Sequence, residues 1–130
     1  MKKSIILFVF GLITIALQAQ ENKVVSTDSI YFEKIKHDYG TIQQGANGDC
    51  EFKFTNKGKA NLVLNDVKTS CGCTVPDWPR NAFKPGESGI IKVRYNTQTI
   101  GQFGKTITVI STAANSPVIL QIAGTVEAKK

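Results

Sequence analysis

The stretch "GDCEFKFTN", Gly48 to Asn56, decides how this sequence folds. Cys50, Phe52 and Phe54 fall on one parity, and Glu51, Lys53 and Thr55 on the other. A period of two belongs to an extended chain whose successive side chains point to opposite faces, here one apolar and one polar. The segment therefore predicts a β-strand with one side in a core and the other in water. "NKGK", Asn56 to Lys59, supplies turn residues, and "ANLVLNDVKTSC" is expected to return as the second strand of a hairpin. Its inward set changes parity between Leu62 and Leu64 and the later Val67 and Thr69, which predicts a bulge near Asn65 and Asp66.

The same alternation recurs on both sides of this pair. "SGIIKVRYN" puts Ile91, Val93 and Tyr95 on one face, "FGKTITVIS" does so with Ile107 and Val109, and "PVILQIAGTV" with Val118, Leu120, Ile122 and Val126. Pro85 and Gly86 predict a tight turn feeding the strand at Gly89. The opening run "SIYFEKIKHDYG" changes its inward face, from Ile30 and Phe32 to Ile35 and Tyr39, as a first strand does when it passes between two sheets. About seven short strands in about 100 residues, with turn signals between them and no helical period, predict an all-β domain. The expected architecture is an immunoglobulin-like antiparallel β-sandwich over residues 29–130, with an open barrel as the alternative. Its expected core is Phe52, Phe54, Leu62, Leu64, Ile91, Val93, Ile107, Val109, Leu120 and Ile122.

Ahead of this domain stands "MKKSIILFVFGLITIALQAQ", in which Lys2 and Lys3 precede an apolar run from Ile5 to Leu17 closed by small and polar residues. This is the pattern of an N-terminal signal peptide, residues 1–19, with cleavage expected after Ala19. The run is shorter than the roughly 20 residues of a spanning helix, and no basic stop-transfer cluster follows it, so no membrane span is expected after cleavage. Residues 20–28, "QENKVVSTD", are a polar leader. The protein is therefore expected to be exported, either periplasmic or secreted, where disulfides persist.

Loss of Lys2 and Lys3 with the signal peptide lowers the net charge from +6 to +4. The remaining lysines are dispersed, so the chain carries no dense basic footprint and no nucleic-acid partner is expected. With a single histidine, His37, no Ser/His/Asp set can be assembled, and no glycine-rich phosphate loop follows a strand. The expectation is a protein without catalytic residues. Trp78, beside Pro79, is either a plug beneath a proline-containing loop or a contact residue for a partner.

Six stretches, "HDYGTIQQG", "FKFTNKG", Leu62 with Leu64, "SCGCTVP", "KPGESG" and "GQFGK", occur in an order that resembles the bacterial family known as domain of unknown function 1573. The resemblance runs from about Phe32 to Val126, and its most specific element is Cys-Gly-Cys-Thr. It implies an exported immunoglobulin-like domain of the kind seen in pilus chaperones and major sperm proteins, and it brings no activity. Cys50 lies outside the shared motif. The expected function is an exported, non-catalytic binding or structural module of the cell envelope. Its expected partner is another envelope protein or surface component, met through an exposed sheet edge by analogy with chaperones of this fold.

The alternative is a periplasmic thiol protein that uses Cys71 and Cys73 for copper(I) binding or for disulfide exchange, the latter suited to a short, easily reduced bridge. In an extended strand residues two apart have Cα atoms roughly 6.6 Å apart, near the upper limit for a disulfide, although Gly72 can relax the backbone. The pair has no helix N-terminus and no neighbouring histidine to activate a thiol, with Lys68 the nearest cation. Structural zinc wants about four ligands, more than three cysteines and one histidine at this spacing provide. No cofactor is expected. Copper(I), which accepts two thiolates, is the one metal these residue types leave open. Hairpin pairing would set Cys50 opposite Asp66 to Lys68, roughly 10 Å short of Cys71, so Cys50 is expected as a buried free thiol and Cys71 and Cys73 as partners of each other.

Overall fold

The computed structural model describes residues 29–130, so the expected signal peptide and polar leader lie outside the described residues. Eight strands follow one another: β1 (Ile30–Phe32), β2 (Lys36–Gln43), β3 (Asp49–Asn56), β4 (Leu64–Thr69), β5 (Thr74–Asp77), β6 (Ser88–Tyr95), β7 (Gly101–Ser111) and β8 (Val118–Glu127), with no helix among the described residues. They form two four-stranded sheets, ordered β1-β3-β6-β5 and β2-β8-β7-β4. All ten residues expected in the core are buried between them, with Phe52, Phe54, Ile91, Ile107, Leu120 and Ile122 wholly excluded from solvent.

The sandwich departs from expectation in four places. The additional strand is β5, "TVPD", whose Pro76 masks the strand pattern but is tolerated because β5 is an edge. The pairing is not wholly antiparallel, since β2 lies parallel to β8. This follows from the early switch of sheets: β1 pairs with β3, and the chain then crosses to lie beside the last strand. Tyr39 does pack against the core after this crossing, but Ile35 is 58 % exposed, because it belongs to the crossing itself and alternation does not govern it. Finally, β3 and β4 are not a hairpin. β3 pairs with β1 and β6, whereas β4 pairs with β7 in the other sheet. The bulge in β4 is present, as a register shift between Leu64 and Asp66.

Asn56 explains why "NKGK" turns the chain out of its sheet. Its side chain is 1 % exposed. Nδ2 donates to the carbonyls of Ala60 at 2.8 Å and Phe83 at 2.9 Å, and Oδ1 accepts the Gly58 N–H at 2.9 Å. Its main chain meanwhile bonds Glu87 O and the Gly86 N–H. A buried amide with all of these groups paired holds the crossing to the turn that precedes β6. That turn is the expected one: Glu87 N–H donates to Lys84 O at 2.9 Å, and Gly86 takes φ +88, which suits glycine. Beyond it Gly89 pairs with Phe54, and a Cβ there would stand 2.6 Å from the Phe54 ring and 2.7 Å from Phe83. Its hydrogen lets those two rings meet edge to face at 5.0 Å.

Replacing Asn56 by alanine leaves the buried Phe83 carbonyl, the part-buried Ala60 carbonyl and the Gly58 N–H without their partner. The expected cost is about 2–3 kcal/mol, at the upper end for a broken buried network. Urea unfolding measures it as a lowered midpoint at unchanged slope.

Candidate functional site

β4 and β5 are joined by four residues, Ser70 to Cys73, which swing the chain from one sheet to the other. The Thr74 N–H donates to Cys71 O at 3.3 Å, so Cys71–Thr74 is a turn and not a continued strand. The Cα atoms of Cys71 and Cys73 are consequently 5.3 Å apart, inside disulfide range and shorter than strand spacing gives. The two are disulfide-bonded, and Cys50 is free and buried. Thr69 Oγ1 secures the corner from within, donating to Cys71 O and Thr74 O. A bridge that encloses a single residue removes little freedom from the unfolded chain, about 1.5 kcal/mol on the loop-entropy model. It is a weak staple. In the bridged state neither sulfur is a thiolate, so copper(I) would require prior reduction.

Beside the bridge opens a cleft of about 590 Å³, walled by Gly45 to Asp49, by Gly72 and Cys73, and by Tyr95 to Gln98. It continues past Asp49, Val75 and Arg94 into a smaller groove of about 380 Å³ on the outer face of β3, β6 and β5. A third concavity, reached past Asp77 and Lys92, ends at Trp78, Pro79 and Ile90. Together they form one strip along β5. Its charges are ordered by strand: Lys92 and Arg94 on β6 face Glu51 and Asp49 on β3, and Asp77 on β5 lies across from Lys92. Arg94 Nε binds Asp49 at 2.7 Å, and that hydrogen bond holds the Asp49 carboxyl below its usual range. Cations flanked by acids neutralise each other, so the strip offers no polyanion footprint. Val75, 59 % exposed, and Ile90, 41 % exposed, are apolar islands on it.

Trp78 borders this strip without projecting from it. Its ring is partly buried against the core, with the Arg80 guanidinium 3.8 Å above its centroid, and its indole Nε1 is buried without a hydrogen-bond partner. His37 stands on the other sheet, edge-on to Tyr39 at 4.5 Å, with burial as the main cause that lowers its pKa. Cys50 lies opposite Val93 on β6, so its separation from Cys71 has a different origin from the hairpin offset expected. Burial pushes its thiol above the ordinary value, only partly opposed by the neighbouring Tyr39 hydroxyl.

The sheet edges are guarded. Asn96 N–H donates to Cys73 O, so strand alternation turns the main-chain groups of Thr74 and Pro76 away from β6. There Thr74 is already bonded to Cys71 and Thr69, and Pro76 has no N–H to offer. On β1 the Asn115 side chain closes the edge by bonding both the N–H and the carbonyl of Ile30. Asp66 Oδ1 takes the Val67 N–H on β4, and β2 carries exposed Lys36 and Asp38 and a register break before Thr41. Charge, proline and bulges are the usual means of discouraging strand addition.

Sequence reasoning brought Cys71 and Cys73 together but missed Val75, Arg94, Asp49 and Ile90 as one surface. Outward parity on β3 and β6 was visible. What joined them was β5, hidden because "TVPD" contains a proline.

A family model described as "Protein of unknown function (DUF1573)" matches residues 30–126. The chain belongs to that family. No curated protein matches it. Among solved structures, this DUF1573 chain is similar to a protein of unknown function from Porphyromonas gingivalis W83, with 16 % identity and a TM-score of 0.68 over 75 % of this chain and 46 % of that one. It thus spans about half the length of that protein. PapD-like domain 7 of human CEP192 is similar at 9 % identity and a TM-score of 0.68, covering 95 % of this chain and 99 % of that domain. The CsuC–CsuE chaperone–tip adhesion subunit complex of Acinetobacter baumannii is similar at 12 % identity and a TM-score of 0.55, over 78 % of this chain and 58 % of that one. At these identities the likeness shows the fold: a DUF1573 domain is an immunoglobulin-like, PapD-like β-sandwich, which fits a binding or structural module.

The cysteine assignments give a direct count. Denatured without reductant, the protein is expected to show one reactive thiol, and after reduction all three cysteines of the sequence. In the folded state at pH 8 Cys50 should alkylate far more slowly than a free thiol, because its raised pKa and its burial both keep it neutral and covered. Intact mass after timed alkylation reads both numbers.

Proposed function

We propose that this chain is an exported, non-catalytic binding module of the cell envelope, periplasmic or secreted. In this reading it holds another envelope protein or surface component on the strip along β5. The observation that carries the reading is the strip itself: three connected concavities with charge-balanced walls and exposed Val75 and Ile90. Isolated apolar side chains among paired charges suit a polar protein surface with a few anchoring residues. The guarded edges favour this face over strand addition, so the chaperone analogy is kept for the fold and not for the mode of contact. The Acinetobacter complex joins a chaperone to an adhesin subunit, a protein–protein setting of the kind proposed here. Export rests on Lys2, Lys3 and the apolar run that follows them.

Absence of catalysis is supported by the placement of His37, the only histidine of the sequence, on the sheet opposite the strip. It cannot act as a base for groups on the outer face of β6.

Capture from an envelope extract, followed by mass spectrometry, tests the proposal. The wild-type protein should retain a defined partner, and the pair Val75→Glu and Ile90→Glu should lose it at an unchanged melting temperature, since both side chains already face water. Retention of the same partner by that double variant, or repeated turnover of a small substrate by the purified protein beyond one equivalent per bridge, would overturn the reading.

A further inference from the structure

The bridge between Cys71 and Cys73 has surroundings that treat its two sulfurs differently. The Cys73 N–H donates to Cys71 Sγ at 3.2 Å. Thr74, whose side chain is buried, places Oγ1 4.0 Å from each sulfur. The Cys73 N–H therefore distinguishes Cys71, while the single Thr74 hydroxyl proton is equally placed for either sulfur. Both cysteines are half-buried, and Cys73, which also packs against the core, lines the cleft of about 590 Å³ together with Gly72, whereas Cys71 does not. Gly72 does not need to be glycine for the fold: its φ is not positive, and a Cβ there would meet nothing within 4 Å.

We propose that the Cys71–Cys73 bridge is a thiol–disulfide exchange site with a fixed direction, in which an incoming thiolate attacks Cys73 and Cys71 leaves. The inference stands independently of the binding reading above. A thiolate sulfur bonds to Cys73 Sγ as the Cys73–Cys71 sulfur bond breaks, and the electron pair leaves on Cys71. That developing negative charge is met by the Cys73 N–H and the Thr74 hydroxyl, as a low-pKa leaving thiol requires. A second thiolate then attacks the sulfur of the bound group, releasing Cys73 as a thiolate. Two thiols of the partner are thereby oxidised to one disulfide, two electrons pass to the protein, and the two protons of the partner thiols are taken up by Cys71 and Cys73. The substrate class is a thiol, either a small molecule or a peptide cysteine laid in the cleft. The latter would lie along a cleft wall that includes Asn96 and Gln98.

The test uses the full exported protein with reduced glutathione and, in a parallel arm, a short cysteine-containing peptide. Acid quenching, alkylation and peptide mapping should place the adduct on Cys73 and the alkyl group on Cys71. Faster reaction of the peptide identifies a peptide cysteine as substrate, and faster reaction of glutathione a small thiol. Thr74→Val should slow bridge opening roughly tenfold, the effect of one lost hydrogen bond to a charged group, while Thr74→Ser restores it. Both variants are buried and close in shape, and an unchanged melting curve separates lost chemistry from lost fold. Cys71→Ser, exposed to oxidised glutathione, should accumulate a lasting adduct at Cys73. An adduct on Cys71 in the wild-type protein, no adduct at Cys73 in Cys71→Ser, or a bridge left intact by excess of both thiols would overturn the proposal.

Discussion

The structure depends on how the chain crosses between its two sheets. Five of its seven connections change sheet, and each crossing ends a hydrogen-bonded ladder and leaves main-chain donors and acceptors that burial would strand. Side chains take them up. Tyr39 Oη donates to Gly48 O and Thr97 Oγ1 to Ala46 O between β2 and β3. Asn56 serves the passage from β3 to β4, and Thr69 the one from β4 to β5. The buried polar residues are therefore a consequence of topology. Asn56 and Thr97, both nearly inaccessible to solvent, stand where apolar packing alone could not complete the backbone.

That requirement shapes the outer surface as well. A sandwich that completes its crossings with side chains can use the same device at its edges, as Asn115 does for Ile30 on β1. With edges closed, recognition is left to faces and to the ends of the sandwich. The strip along β5 combines both, since it runs from the outer face of one sheet to the cleft between the loops before β3 and after β6. The Asp49–Arg94 pair lies where groove and cleft join. Exposed as it is, the pair adds little to stability, and its effect is to keep one cation from presenting a bare charge.

Inward-facing residues were legible because alternation is a local property: Phe52 and Phe54, Ile91 and Val93, Leu120 and Ile122 each announce their face within a few positions. The bulge near Asp66 was legible for the same reason, as a break in parity. Strand partners were not, because they depend on crossings whose determinants are distant in sequence. Nothing in "NKGK" states that the Asn56 amide will reach Phe83 O, 27 positions away. The same limit hid β5 and the parallel placement of β2. It also made the separation of Cys50 from Cys71 right for a reason the topology replaces. At the site, closeness in sequence, a glycine between them and the distance of Cys50 brought Cys71 to Cys73, whereas Asp49, Val75 and Arg94 meet only through the pairing of β3, β6 and β5.

At the β4–β5 corner the demands of the fold and the residues present do not coincide. The fold asks for a short turn, and the Thr74 N–H, Cys71 O and the Thr69 hydroxyl already make one. Neither a glycine nor a bridge is required there, and the bridge returns about half of what a disulfide enclosing a loop of 15 residues would. Asn56 shows what a residue demanded by topology looks like, with every polar group of its side chain engaged. Cys71 and Cys73 are the opposite case: a reactive pair at an open cleft, held by a corner that is complete without them. Where local structure is satisfied and a half-buried reactive group still borders a cleft, chemistry or recognition is the better account of its presence than stability.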